Sequence, residues 1–378
     1  MRVLILSIEF PPGPGGIATH AFQIARHLHN LGCQVWVASP QAFATQSEVT
    51  AFNSSQPFAI HTYRFRKINL VEIFERLQMT LRTAKRFRPD VILTFGKQPA
   101  WLGAIISRVN RCKLVITGAG SEFLVKNYAE KMLNQWAINR ASLVLFNSHF
   151  TKLLAIQKGY RLPSSFIVTM GADHDVFKPG LPVAQLRQKL NLQGKRVILT
   201  VGRLSERKAQ DTVIRALPQV FTAIPQAVYV LAGLPTLQAE FQQLAKELGI
   251  LDRVLFLGIV SQSELPYLYN LADIFVLVSR QSSKGEVEGF GIAVAEAALC
   301  GVPAIVSDNT GLVEAILPGQ TGLIVPQDSP NELARTLLTL LQDDDLRFKM
   351  GLAARQHALQ ALTWEQKASE LYHLIRQV

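Results

Sequence analysis

The chain has 378 residues, 48% hydrophobic and 18% charged. It is too long for one ordinary core, apolar enough to fill two, and too apolar for a disordered chain. Its three cysteines, Cys33, Cys112 and Cys300, stand far apart without metal-ligand spacing, so no disulfide framework is present and a reducing compartment is expected. The net charge of +11 is uneven: residues 1–180 carry net +12 and residues 181–378 net −1. Attraction to something acidic (nucleic acid, anionic lipid or anionic glycan) therefore stands beside a basic surface kept for solubility.

In chain order, residues 3–7 read as a buried strand. The apolar run around them ends at Glu9 and Pro11-Pro12, too soon for a signal peptide. No run approaches the roughly 18 apolar residues of a membrane span, so a cytoplasmic, non-integral protein is expected. Further strands are expected at 34–38, 91–94, 114–117 and 143–146, with helices at 17–31, 70–87, 99–109, 129–139 and 148–157. Runs such as Val91-Ile92-Leu93 suit strands buried on both faces of a doubly wound parallel sheet. The turn Pro11-Pro12-Gly13-Pro14-Gly15-Gly16 is not G-x-G-x-x-G, and the second strand runs into Ser39-Pro40 without an acid for an adenosine ribose. Dinucleotide binding is therefore opposed, and what remains is a loop whose amides at Gly15 and Gly16 can approach a phosphate. His20 follows on the helix, as a ligand contact or as a structural residue.

Residues 64–88 hold most of the basic excess. Arg64, Arg66 and Lys67 precede a helix with Leu70, Ile73, Phe74, Leu77, Leu81 and Ala84 on one face and Arg76, Arg82, Lys85, Arg86 and Arg88 at other positions. Such a helix either docks on the sheet with a solvated basic face or lies on anionic membrane. Later, Asp173-x-Asp175 lacks further ligands and is rejected as a metal pair, and no metal is expected elsewhere.

The second half repeats the alternation, with strands at 196–201, 228–232, 254–257, 274–278, 304–307 and 323–325. Gly202-Arg203-Leu204-Ser205-Glu206-Arg207-Lys208 leads into a helix over 209–221. Arg203, through its planar fork, and Lys208, as a point charge, form a plausible diphosphate clamp. After the strand at 274–278, Glu288-Gly289-Phe290-Gly291-Ile292 enters a helix. The N–H groups of Phe290, Gly291 and Ile292 are expected to point at an anion, helped by the helix dipole. From Ile292 to Cys300 only Glu296 is polar, so Glu296 needs a partner. The loop 307–314 enters a further helix and is placed for backbone contacts, and the last helix falls near Trp364.

Glu288 and Glu296, with seven residues between them and Gly289-Phe290-Gly291 inside, resemble the E-x7-E signature of retaining GT-B glycosyltransferases, the "group 1" (family 4) class. The resemblance covers nearly the whole chain. It implies two Rossmann-like domains facing across a cleft: an acceptor domain over 1–170, to which a helix over 362–378 crosses back, and a donor domain over 171–361. It implies that Arg203 and Lys208 hold a nucleotide diphosphate, Glu296 the ribose and Glu288 the transferred sugar. Gly202, Phe290, Gly291 and Ile292 would complete the donor site, with the base resting near Val260. Gly16 would lie near the donor diphosphate, and Gly15, His20 and Glu122 would serve the acceptor. Glu122 has helix capping as its alternative role. Ala119 stands where many members have histidine, which removes one expected sugar contact.

The implied reaction is metal-independent, retaining hexosyl transfer from a nucleotide-diphosphate sugar to a hydroxyl acceptor. The acceptor would be a lipid-linked glycan, a polysaccharide or a small molecule, in envelope glycan synthesis, with peripheral contact to anionic membrane through the basic half. No cofactor is implied. The alternatives are a nucleotide-sugar epimerase, a phosphorylase and a non-catalytic sugar-nucleotide binder. No nucleic-acid-binding motif is present.

Overall fold

The computed structural model describes residues 1–13, 15–42, 44–63, 70–125 and 127–377, with the side chains of 70–74 set aside. Pro14, Arg64, Arg66 and Lys67, and the side chains of Leu70, Ile73 and Phe74, lie outside the described residues. The chain divides into two compact units, Met1–Met170 with Trp364–Val378, and Gly171–Thr363.

Unit 1 holds seven parallel strands: β1 (Arg2–Ser7), β2 (Gln34–Ser39), β3 (Ala59–Thr62), β4 (Val91–Phe95), β5 (Lys113–Gly118), β6 (Leu143–Phe146) and β7 (Ser165–Ile167). Their order is β3-β2-β1-β4-β5-β6-β7. Alternate residues of β1 enter opposite faces, as the two-residue period of a strand requires. Val3 and Ile5 pack with Ile24 and Leu28 of the helix Gly16–Asn30. Leu4 and Leu6 pack with Ala84, Phe87 and Ala104 on the other side. The helix Trp364–Gln377 turns Trp364, Ala368, Leu371 and Ile375 inward, a spacing that makes one stripe, and the last three join the Ile24 face.

Unit 2 holds six parallel strands: β8 (Arg196–Val201), β9 (Ala227–Ala232), β10 (Val254–Phe256), β11 (Ile274–Leu277), β12 (Ala304–Ser307) and β13 (Gly322–Val325). Their order is β10-β9-β8-β11-β12-β13. Each sheet therefore reverses its winding once, between β1 and β4 and between β8 and β11. Open α/β sheets bind ligands outside the carboxyl ends of the strands at such a point.

Several expectations are amended. The last helix begins at Trp364, two residues beyond the expected 362, because Leu362 and Thr363 stay with unit 2. There the Ala172 N–H donates to the Leu362 carbonyl at 2.8 Å, and Ala172 bridges Thr363. The helix Gln46–Ser54 and the strands β3 and β7 were not anticipated. Arg76 leaves the basic face expected of the helix Leu70–Phe87: it is 7% exposed, lies over the Tyr63 ring at 5.3 Å and donates to Gln98 at 3.4 Å. Arg82, Lys85, Arg86 and Arg88 are exposed, while Ala84 and Phe87 are buried.

Candidate functional site

The loops leaving β8, β9 and β10 are stitched backbone to backbone. The Gly202 N–H donates to Ala232 at 2.8 Å and the Gly233 N–H to Gly258 at 2.7 Å. A Cβ on Gly233 would fall 2.1 Å from the Gly202 carbonyl oxygen, so only glycine permits this approach. Val260 is half-buried two residues beyond Gly258. Gln210, fully buried, donates to the Arg203 carbonyl at 3.0 Å and accepts from the Ser205 N–H at 3.3 Å, which fixes the β8 loop.

That loop closes in a single 3-10 turn, Glu206–Lys208, whose two cations reach one carboxylate. Lys208 Nζ lies 2.7 Å from Glu288 Oε2, and the Arg207 guanidinium donates to the same oxygen. Ser279 Oγ approaches that oxygen at 3.4 Å. Burial works to raise the Glu288 pKa, but the charges of Arg207 and Lys208 outweigh it and hold the group at about 2. Burial pulls the Lys208 pKa down, and Glu288 opposes this. Arg203 is exposed, makes no ion pair among the described residues, and adds to the downward pull on Lys208. Lys208 and Glu288, expected to serve different parts of a ligand, are thus each other's partners here.

Arg280, just beyond β11, locks the two loops together. Its backbone N–H donates to the Arg207 carbonyl at 2.9 Å and its Nε to the Glu206 carbonyl at 3.0 Å, while its guanidinium pairs with Asp211 and, at 2.5 Å, with Asp328. From β12, the Gly311 N–H donates to the Glu288 carbonyl at 3.0 Å. A Cβ on Gly311 would sit 1.8 Å from the Gly289 carbonyl oxygen. Gly311 opens a short 3-10 helix, Gly311–Ala315, inside the stretch 307–314 that was expected to be a loop entering a helix.

Gly291, at a φ of 86°, is the N-cap of the helix Ile292–Leu299 and has no side chain with which to satisfy the first amides. Phe290 is buried against the core and Ile292 is half-buried. Glu296 finds its partner in Tyr269, whose hydroxyl donates to Oε2 at 2.6 Å. Burial raises Glu296 to about 7; the Tyr269 hydrogen bond and the Lys208 charge oppose it. The two carboxylates therefore both feel Lys208. Arg207, Tyr269, Ser279 and Arg280 were missed in the sequence. The only local signal was for Arg207, a second cation beside Lys208.

Unit 1 disposes of its candidates differently. Gly15 is the N-cap of the helix Gly16–Asn30, and a Cβ there would meet the Glu9 carboxylate at 2.3 Å; Gly16 faces open space. His20 is 6% exposed, edge-on to Phe95 at 4.9 Å and stacked on Trp364 at 5.5 Å. Burial lowers its pKa to about 3, which keeps the ring neutral, and it lines a cavity of about 10 Å³ with Thr117, Gly118 and Ala119. Glu122 folds back on its own turn and accepts from the Ala119 N–H at 2.5 Å, and burial raises its pKa against these backbone bonds. The N-cap of this 3-10 turn is Gly120, which has no side-chain cap, so Glu122 braces the 119–122 turn from within. Among the described residues no cluster of three or more His, Cys, Asp or Glu is placed to hold a metal ion, and no helix is long and apolar enough to cross a membrane.

Residues 14–175 match the family described as "Glycosyltransferase Family 4", and residues 183–357 that described as "Glycosyl transferases group 1". A GDP-mannose-dependent alpha-(1-6)-phosphatidylinositol monomannoside mannosyltransferase of Mycolicibacterium smegmatis is 32% identical over 243 residues, 63% of either chain. The chain thus spans less than two thirds of the length of the mannosyltransferases it matches. A D-inositol 3-phosphate glycosyltransferase of Corynebacterium aurimucosum is 30% identical over 418 residues, covering 99% of this chain and 95% of that protein. Among solved structures, Anabaena HepE in complex with UDP and glucose superposes with a TM-score of 0.85 over 100% of both chains at 23% identity.

Proposed function

We propose, from the premise that the chain belongs to the group 1 glycosyltransferases and has their GT-B fold, that it moves a hexose from a nucleoside-diphosphate sugar to a hydroxyl acceptor, with retention of configuration and without a metal. The observation that carries this reading is the convergence of Lys208, Arg207, Glu288 and, through Lys208, Glu296 at the carboxyl ends of β8 and β11. Arg203 and Lys208 take the diphosphate, and the amides at Phe290 to Ile292 add donors at the helix start. Glu296 accepts the ribose hydroxyls, and Glu288 holds hydroxyls of the hexose. The base lies against the backbone around Val260, and Gly202 allows close approach of the diphosphate.

As the bond from the anomeric carbon to the diphosphate oxygen breaks, negative charge grows on the leaving phosphate, where the fixed cations are placed to stabilise it. The acceptor hydroxyl attacks from the face the diphosphate leaves and passes its proton to a phosphate oxygen. No enzyme carboxylate is used as a nucleophile in this route.

Acceptors named for the relatives, phosphatidylinositol monomannoside and inositol 3-phosphate, direct the choice toward lipid-linked or inositol-bearing acceptors in envelope glycan synthesis. The exposed Arg82, Lys85, Arg86 and Arg88 favour peripheral contact with anionic membrane. The test is transfer of labelled hexose from GDP-mannose and UDP-glucose to these two acceptors in excess chelator, with the product anomer read by NMR. A retained α-linkage formed under chelation supports the reading; an inverted product, or turnover that needs an added divalent ion, overturns the corresponding part.

A further inference from the structure

We infer that Arg207 is a positioning residue for donor binding: it keeps the Glu288 carboxylate paired so that Lys208 can leave it for the donor diphosphate. The inference rests on the reading above, in which Lys208 takes the diphosphate. Glu288 is 8% exposed, and its three donors, Arg207, Lys208 and Ser279, all converge on Oε2. With Lys208 Nζ only 2.7 Å from that oxygen, engaging a phosphate means sharing or exchanging the partner. A carboxylate this buried cannot be left alone, because stripping a buried charge of its counterion exposes the full desolvation cost.

Arg207 removes the difficulty. It comes from the same 3-10 turn, one residue before Lys208, and reaches the same oxygen. When the ammonium turns away, Glu288 keeps a guanidinium and a hydroxyl. The two cations are also suited to different tasks: a guanidinium's fixed fork holds a carboxylate, whereas an ammonium on a flexible stem exchanges partners readily. Arg207 is itself held in place, since Arg280 donates to its carbonyl and to that of Glu206. Because all three contacts fall on Oε2, Glu288 Oε1 has no hydrogen-bond partner among the described residues and is available to a sugar hydroxyl.

The test is a double-mutant cycle read by calorimetric titration of UDP, GDP, ADP and TDP into the full chain, its Arg207→Gln, Arg207→Lys and Glu288→Gln variants, and the variant that combines Arg207→Gln with Glu288→Gln. Arg207→Gln should weaken binding of the preferred nucleotide roughly tenfold or more, the scale of losing one partner of a desolvated charge pair. In the Glu288→Gln background, where no buried charge remains to be satisfied, the same change should cost less than about threefold. Arg207→Lys, which keeps a cation, should retain most of the affinity. Equal losses in both backgrounds would make Arg207 a direct phosphate ligand or a purely structural residue and would overturn the inference, as would no loss at all. A parent chain that binds none of the four nucleotides would overturn the functional reading and the inference together.

Discussion

Glu296 sits on a helix of otherwise apolar side chains, and Tyr269 is what makes its presence there tolerable. Burial leaves it near 7, where a small change in pH alters its charge. A carboxylate accepts two hydroxyls better than a carboxylic acid does, so nucleotide affinity should rise several-fold between pH 6 and pH 8. In Glu296→Gln that rise should vanish; a Gln variant with the parent's pH profile would remove Glu296 from the ribose. The stability linkage has the opposite sign. The folded-state value lies above the ordinary 4.5, so the folded chain binds more protons and loses stability as pH rises from 4.5 through 7. For Glu288, held at about 2, the stabilisation is present above 4.5 and is lost as pH falls through 2. That Glu296 needs a partner was legible from the apolar helix around it, whereas the roles given to Glu288, Glu296 and Lys208 came from resemblance to the family's motif and belong to the proposed function. Tyr269 and Ser279 were not legible, because a hydroxyl partner 27 or 9 residues away is chosen by tertiary packing. The same cause explains His20, whose stacking partner, Trp364, lies at the far end of the chain.

Among the elements, the site depends on loops that touch through bare backbone. Gly311 lies against Gly289, and Gly233 against Gly202, at separations that exclude a Cβ. Gly311→Ala should therefore force the β12 loop away from Glu288, costing about 1–3 kcal/mol as overpacking does, and should weaken nucleotide binding as well. Its melting temperature and nucleotide titration check this; a variant with the parent's stability and affinity would mean that the contact can relax freely. The strands buried on both faces, such as β1 and β4, announced themselves as apolar runs. The elements that went unseen had little pattern to offer. The helix Gln46–Ser54 buries only Val49, and β3 and β7 are four and three residues of half-exposed chain whose identity comes from pairing with β2 and β6.

For the whole molecule, the charge imbalance has a structural address, since Arg82, Lys85, Arg86 and Arg88 are exposed on unit 1 while Arg76 is buried against the Tyr63 ring. Each cation near an anionic bilayer contributes about 1 kcal/mol, so reversing Arg82, Lys85 and Arg86 to Glu should abolish sedimentation with phosphatidylserine vesicles at low salt. A parent chain that ignores such vesicles would return the basic excess to a solubility role. The division into two units was legible because each half repeats the same strand-helix alternation, while the exact boundary depended on Leu362 and Thr363 bonding back to Ala172. Binding of a nucleoside diphosphate by unit 2, through Glu296 and its neighbouring cations, can be read by thermal shift. UDP, GDP, ADP, TDP and CMP would be screened in excess chelator on the parent chain and on Glu296→Ala. One diphosphate should raise the parent's melting temperature, and the gain should be lost in the variant. No shift from any nucleotide, or an equal shift in the variant, would contradict the account.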